Sequence, residues 1–287
     1  MKISEIFEKK TVFSIEVFPP KKTSSVETIY KALEEFKDIR PDFISVTYGA
    51  GGSAAGASTL DIASTIKNKY NIESMAHLTC INNTKADIVK ILDDFKANGV
   101  ENILALRGDI NPDIPPKTDF RYASELTEFI KSYGDFGVSG ACYPEGHIEA
   151  EDLVADIHNL KRKVECGAEH LVSQLFFDNE LFYSFMERAE IAGIDVPIEA
   201  GIMPVTNKSQ IERMVSMCGA SLPSKFAKVM QRYENHPEAL MDAGIAYAID
   251  QIVDLISHGV RGIHLYSMNN PRIAKRIHEA VGSLLEV

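Results

Sequence analysis

The chain has 287 residues and a mass of 31.8 kDa, enough for one large domain or two ordinary ones. Hydrophobic residues make up 45%, which supports a sizeable core and excludes global disorder. With 41 acidic and 30 basic residues the formal net charge is −11, which argues against a broad nucleic-acid surface but leaves room for a local basic pocket.

The first clear element is FSIEVFPPKK, residues 13 to 22. Phe13, Ile15 and Val17 share one side of a strand and Ser14 and Glu16 the other, before Pro19 and Pro20 end the ladder. An amphipathic helix over about 24 to 38 follows, with Ile29, Leu33 and Phe36 at helical spacing. Next come DFISVTYG (42 to 49), a helix around 57 to 70, ESMAHLTC (73 to 80) and a helix around 84 to 98. The alternation continues through NILALRGD (102 to 109), GVSGACYPE (137 to 145), EHLVSQLFFD (169 to 178), PIEAGIMP (197 to 204) and RGIHLYS (261 to 267).

A short signature recurs before several strands: NGVENI at 98, CGAEHL at 166, AGIDVP at 192 and HGVRGI at 258. Each reads as a helix stopped by a glycine that enters the left-handed region, then an apolar residue that packs back, then a strand. Eight apolar strands alternating with helices predict an α/β fold, a (β/α)8 TIM barrel with extra helices between strands 7 and 8, in about 205 to 260. No linker-like shift in composition appears, so residues 1 to 287 read as a single catalytic barrel domain. A doubly wound sheet is the competitor; no GxGxxG follows the first strand, and the Gly-rich GAGGS (49 to 53) follows the second.

Cys80, Cys142, Cys166 and Cys218 form no CxxC or Cys/His cluster, so neither a metal site nor a disulfide framework is expected. The N-terminus has no apolar signal core and no run reaches the length of a membrane span. The expectation is a soluble, cytoplasmic protein with reduced thiols.

Barrel chemistry sits at the C-terminal ends of the strands. Those ends are polar here: Glu16; Thr47 and Tyr48; His77 and Thr79; Arg107, Gly108 and Asp109; Tyr143, Glu145 and His147; Gln174; His264 and Tyr266. Each has an ordinary structural explanation, such as a core histidine, an Arg107–Asp109 ion pair or amphipathic tyrosines. One ring of positions collects most of them, which favours a pocket. In DIHNLKRKVECG, Asp156, Asn159, Arg162 and Lys163 recur at i, i+3, i+6 and i+7, a solvated face or a surface for a cofactor's phosphates and hydroxyls. Two separated carboxylates also fit glycoside hydrolysis, although the chain has no Trp platform. No HExxH, P-loop or GxSxG motif is present.

Taken together, FSIEVFPPK, SVTYGAGG, AHLTC, LALRGD, YPEGH, NLKRKVECGA, QLFFD, GIMPV and HLYSMN resemble the methylenetetrahydrofolate reductase family, in order, over about residues 10 to 270. The resemblance implies a bacterial-type, catalytic-barrel-only enzyme. It would reduce 5,10-methylenetetrahydrofolate to 5-methyltetrahydrofolate with FAD and with NADH or NADPH as co-substrate, in one-carbon metabolism and methionine biosynthesis. Glu16 matches the family's general acid, protonating N10 of the folate to open the ring to a 5-iminium cation. Asp109 matches the residue that binds the pterin near the flavin. Gln174 and Gln210 match folate contacts, and Thr47 a nicotinamide-side position. Tyr48, Ala50, His77, Arg107, Gly108, Ala123, Tyr143, His147, Ala150, Asp156, Asn159, Arg162 and Lys163 match the FAD-contacting set, as Asp109 does in part.

Two departures stand out. Asn270 occupies the position where the family often carries a substrate-binding Arg, and the nearest arginine is Arg272. Met214 stands where an aromatic residue often stacks on both ligands. A homo-oligomer is the family expectation. The alternatives are a pterin-binding methyltransferase barrel, and a flavin-containing subunit that takes electrons from a partner protein.

Overall fold

The computed structural model describes residues 1–20, 26–48, 53–110 and 115–286. Eight parallel strands are present: β1 (Val12–Val17), β2 (Phe43–Val46), β3 (Glu73–Thr79), β4 (Asn102–Leu106), β5 (Gly137–Cys142), β6 (His170–Ser173), β7 (Ile198–Ile202) and β8 (Gly262–Leu265). They pair in chain order and β8 pairs back onto β1, so the sheet closes. Closure removes both edges, which excludes the doubly wound alternative.

Helices α1 (Glu27–Ile39), α2 (Ser53–Tyr70), α3 (Lys85–Ala97), α4 (Ala123–Tyr133), α5 (Leu153–Glu165) and α6 (Asn179–Ile191) fill the first six crossovers. The β7–β8 connection holds α7 (Lys208–Cys218), α8 (Ser224–Tyr233) and α9 (Pro237–Ser257), and α10 (Pro271–Val281) follows β8. The extra helices thus lie where the sequence placed them. The strands are shorter than the apolar runs. Thr47, Tyr48, Arg107, Gly108, Asp109 and Gln174 lie just beyond the strands, at the barrel mouth.

The recurrent glycine acts as expected. Gly99, Gly167, Gly193 and Gly259 all have positive φ. In each case the next residue's N–H reaches back to a helix carbonyl: Val100 to Phe95, Ala168 to Lys163, Ile194 to Ala189 and Val260 to Leu255. Those four apolar residues are all buried. One device, a left-handed helix stop with an apolar return, sets the helix-to-strand step four times.

Alternation then sorts the two faces of each strand. Phe13, Ile15, Val17, Ile44 and Val46 point outward into the main core against α1 residues such as Ile29, Leu33 and Phe36. Inside the barrel, an apolar plug closes the N-terminal end: Ile3, Ile6 and Phe7 from the N-terminal segment pack with Phe43, Met75, Leu104 and Val172. Above it the interior is polar. A separate apolar cluster of Leu175, Phe177, Met203, Val205, Phe226 and Leu240 supports α7 to α9.

Candidate active site

Glu16 sits near the C-terminal end of β1 and points inward, one-fifth exposed at the mouth. Its carboxylate Oε2 lies 3.7 Å from His77 Nε2 and 3.8 Å from His264 Nε2. These three residues come from β1, β3 and β8, and closure of the barrel brings them together. Burial drives the His77 imidazole down to about 4, against the attraction of Glu16, so at neutral pH His77 is uncharged.

The prolines after β1 do not leave the strand end loose. Phe18 donates its N–H to Asn269 Oδ1 at 3.0 Å and accepts from Asn269 Nδ2 at 2.8 Å. The asparagine amide thus continues, from the β8 side, the pairing that Pro19 and Pro20 interrupt. Asn269 and Met268 both have positive φ, and Asn270 caps α10 through its side chain. Arg272, in the first turn of α10, is exposed.

A second group forms at the ends of β4 and β5. Arg107 donates two hydrogen bonds to Glu149, at 2.5 and 2.7 Å, so its ion-pair partner is not Asp109. Gly108 has φ +89, and a Cβ there would lie 3.0 Å from Thr79 Cβ. Asp109 is exposed on the rim. Its charge acts on Arg107, Tyr143 and Cys218. Burial pushes the Tyr143 phenol up to about 12, and its ring meets that of His147 edge-on at 4.6 Å. His147 accepts at Nδ1 from the Glu149 N–H, and Ala150 N–H donates to the His147 carbonyl. Ala123 opens α4.

Helix α5 does not present its four polar residues as one face. Asp156 is buried, and its carboxyl is raised by burial against His147 and Lys163. The Lys163 ammonium donates to the Ala141 carbonyl and is lowered by burial. Asn159 and Arg162 are exposed, and Arg162 acts on Cys166 instead. At about 100° per residue, seven residues return nearly to the starting direction while six fall far short. Positions 156 and 163 therefore face the barrel together, and 162 turns away.

Gln174 follows β6 and accepts the Leu175 N–H at 2.9 Å. Gln210 lies in the first turn of α7, where its Oε1 accepts from Thr206 N–H at 3.1 Å. Thr47 N–H continues the ladder to the Val17 carbonyl, and Tyr48 has its phenol raised by burial. Met214 is half-buried against the cluster under α7 to α9. Ala50 lies outside the described residues.

The sequence reading missed the layer beneath Glu16. Glu199 of β7 and His170 of β6 are fully buried, with Glu199 Oε2 3.4 Å from His170 Nε2. Ser14 donates to Glu199 Oε1 at 2.7 Å and lies 2.6 Å from His264 Nδ1. Ser139 stands 3.0 Å from His170 Nδ1, and Ser45 3.3 Å from His264 Nε2. The signal was present in the strand alternation: in PIEAGIMP, Glu199 and Gly201 share the side opposite Ile198 and Ala200. Gly201 leaves space for Tyr266, since a Cβ there would come within 2.7 Å of its ring. The Tyr266 hydroxyl donates to the Ser173 carbonyl at 2.7 Å.

The mouth thus carries one carboxyl between two imidazoles, beside a rim where Arg107 pairs with Glu149 and Asp109 stands exposed. The family profile for methylenetetrahydrofolate reductase matches residues 2–282. The chain belongs to that family. It is therefore related to enzymes, and specifically to oxidoreductases. The 5,10-methylenetetrahydrofolate reductase of Pectobacterium carotovorum is 36% identical over 94% of this chain and 89% of its own length. That of Escherichia coli K12 is 36% identical over 94% of this chain and 90% of its own length. In Arabidopsis thaliana, methylenetetrahydrofolate reductase (NADH) 1 is 36% identical over 93% of this chain but 48% of its own length. A Clostridium thermocellum protein described as binding two copies of 5-methyl-5,6,7,8-tetrahydrofolic acid superposes with a TM-score of 0.67. It shares 13% identity over 99% of both chains, a likeness of fold alone.

Proposed function

We propose that this chain reduces 5,10-methylenetetrahydrofolate to 5-methyltetrahydrofolate, with Glu16 as the acid, FAD as the resident cofactor and NADH or NADPH as donor. The observation that carries the reading is Glu16 itself, at the barrel mouth between the Nε2 atoms of His77 and His264. Family membership supplies the substrate class, and the NADH in the name of the Arabidopsis relative favours a nicotinamide donor.

The rim residues fit FAD. Arg107 and Lys163 offer cations to its phosphates and Asp156 an acceptor to its hydroxyls, while Arg162 and Asn159, exposed on the outer side of α5, would meet only a part of the cofactor that extends beyond the barrel face. Lys163 has a built place, because Gly140 leaves room for its stem: a Cβ there would meet Lys163 Cδ at 2.5 Å. Among the described residues its ammonium has the Ala141 carbonyl as its one hydrogen-bond partner, which leaves donor capacity for an anion. Thr47, Tyr48, His77, Gly108, Asp109, Ala123, Tyr143, His147 and Ala150 complete the proposed cofactor wall, Ala50 is assigned to it by the family resemblance alone, and Gln174 and Gln210 form the folate side. When bound, FAD supplies the hydride it has taken from the nicotinamide.

The chain's own residues perform the acid step. Glu16 gives its proton to N10 of the folate, and the C–N10 bond breaks to leave a cationic 5-iminium carbon. Uncharged His77 beside Glu16 adds no positive charge to oppose that cation. Asp109 places a negative charge on the rim where the pterin binds, and favours the cation. Met214 gives an adaptable apolar contact in place of a flat ring.

Anaerobic purification followed by a visible spectrum tests the reading. A yellow chain that bleaches with NADH and recolours with methylenetetrahydrofolate supports it. Recolouring only after chemical reduction assigns the electrons to a partner protein. A colourless chain that takes up no FAD overturns it.

A further inference from the structure

We propose that Glu199 is a positioning residue for Glu16, acting through Ser14 and His264. The inference rests on Glu16 being the acid of the proposed reaction.

Glu199 is 0% exposed, in the interior of a closed barrel, and among the described residues no lysine or arginine pairs with it. Its contacts are Ser14 Oγ at 2.7 Å, His170 Nε2 at 3.4 Å and His264 Nδ1 at 3.8 Å. A carboxyl in such a place is expensive to desolvate, and an apolar side chain of similar volume would hold the barrel at least as well. Its contribution is therefore sought in what it orients.

The donors decide the direction of the chain. A serine hydroxyl has one hydrogen, and that of Ser14 goes to Glu199 Oε1. The 2.6 Å contact between Ser14 Oγ and His264 Nδ1 then requires the ring to donate. In that arrangement the His264 proton sits on Nδ1 and Nε2 carries none. That bare nitrogen faces Ser45 Oγ at 3.3 Å and Glu16 Oε2 at 3.8 Å.

The opposite tautomer would point an N–H at Glu16 and favour its carboxylate. The tautomer imposed by Glu199 withholds that donor, so His264 turns no N–H toward the Glu16 carboxylate oxygen. The route runs Glu199, Ser14, His264, Glu16, across β7, β1, β8 and back to β1. Register supports it: Ser14 pairs with His264, and Gly201, two residues after Glu199, also pairs with His264.

The test uses Glu199→Gln in the full chain. The amide can donate to Ser14, which frees the hydroxyl to donate to Nδ1 and moves the ring proton to Nε2. Nitrogen-15 NMR of the histidine rings, read without any cofactor, should show His264 protonated on Nδ1 in the native chain and on Nε2 in the variant. Folate reduction should fall about tenfold in kcat, while nicotinamide oxidation with a dye acceptor stays within about twofold. Ser14→Ala breaks the same link without altering Glu199 and should lower folate reduction alike, so the test survives a Glu199→Gln chain that does not fold. A native His264 protonated on Nε2, or folate reduction unchanged in Ser14→Ala, overturns the proposal while leaving the proposed function standing. A native chain that oxidises nicotinamide but never reduces the folate overturns both.

Discussion

His77 Nε2 lies 3.7 Å from Glu16 Oε2, yet burial outweighs the attraction and holds the imidazole at about 4. Desolvation of a charged ring in a closed barrel exceeds what one partly exposed carboxylate returns. The linkage follows. Below the ordinary value of 6.5 the unfolded chain binds a proton at residue 77 that the native chain refuses, until pH nears 4. Stability is therefore lost as pH falls through that window and is unaffected by His77 above it. Between pH 7 and pH 5 the expected loss from this residue is about 2 kcal/mol. Urea unfolding of native and His77→Gln chains at both pH values measures it; equal pH dependence in the two would refute the assignment. The comparison is needed because burial also lowers His278.

Glu16→Gln keeps the shape of the side chain and removes its acid. Folate reduction should fall at least about a hundredfold, with dye-linked nicotinamide oxidation nearly unchanged. Steady-state assays of the two activities on one preparation decide it, and a variant with normal folate turnover sinks the acid role.

Lys163→Met keeps the apolar stem that passes over Gly140 and deletes the buried ammonium. FAD affinity should weaken about tenfold, the loss of one charge-assisted contact. The melting temperature of the cofactor-free chain should hold, since the ammonium is costly to bury. Fluorescence titration with FAD supplies the number, and unchanged affinity removes Lys163 from the cofactor wall.

Gly244 of α9 packs on the loop after β7, and a Cβ there would fall 1.7 Å from the Val205 carbonyl oxygen. That atom is backbone and cannot rotate away. Gly244→Ala should destabilise the chain by about 2 kcal/mol or more, read as a lower urea midpoint. A midpoint equal to the native one would mean that α9 is not seated this closely.

Much of this architecture is local and therefore legible in the residues. Period-2 runs separate Ser14 and Glu16 from Phe13, Ile15 and Val17, and four helix stops need a glycine at one position whatever surrounds them. Eight such units imply closure, and the polar strand ends mark the mouth. Contacts across the barrel are not local. The partner of Arg107 proved to be Glu149, 42 residues away, rather than Asp109 beside it. The polar residues of α5 divided because burial depends on the angle at which the helix meets the sheet. Glu199, Ser14 and His264 meet only because β7, β8 and β1 lie side by side at one register. The sequence by itself determined which side chains turn inward; tertiary structure alone decided which of them touch, because distance across a closed barrel is set by strand order and register and not by separation along the chain.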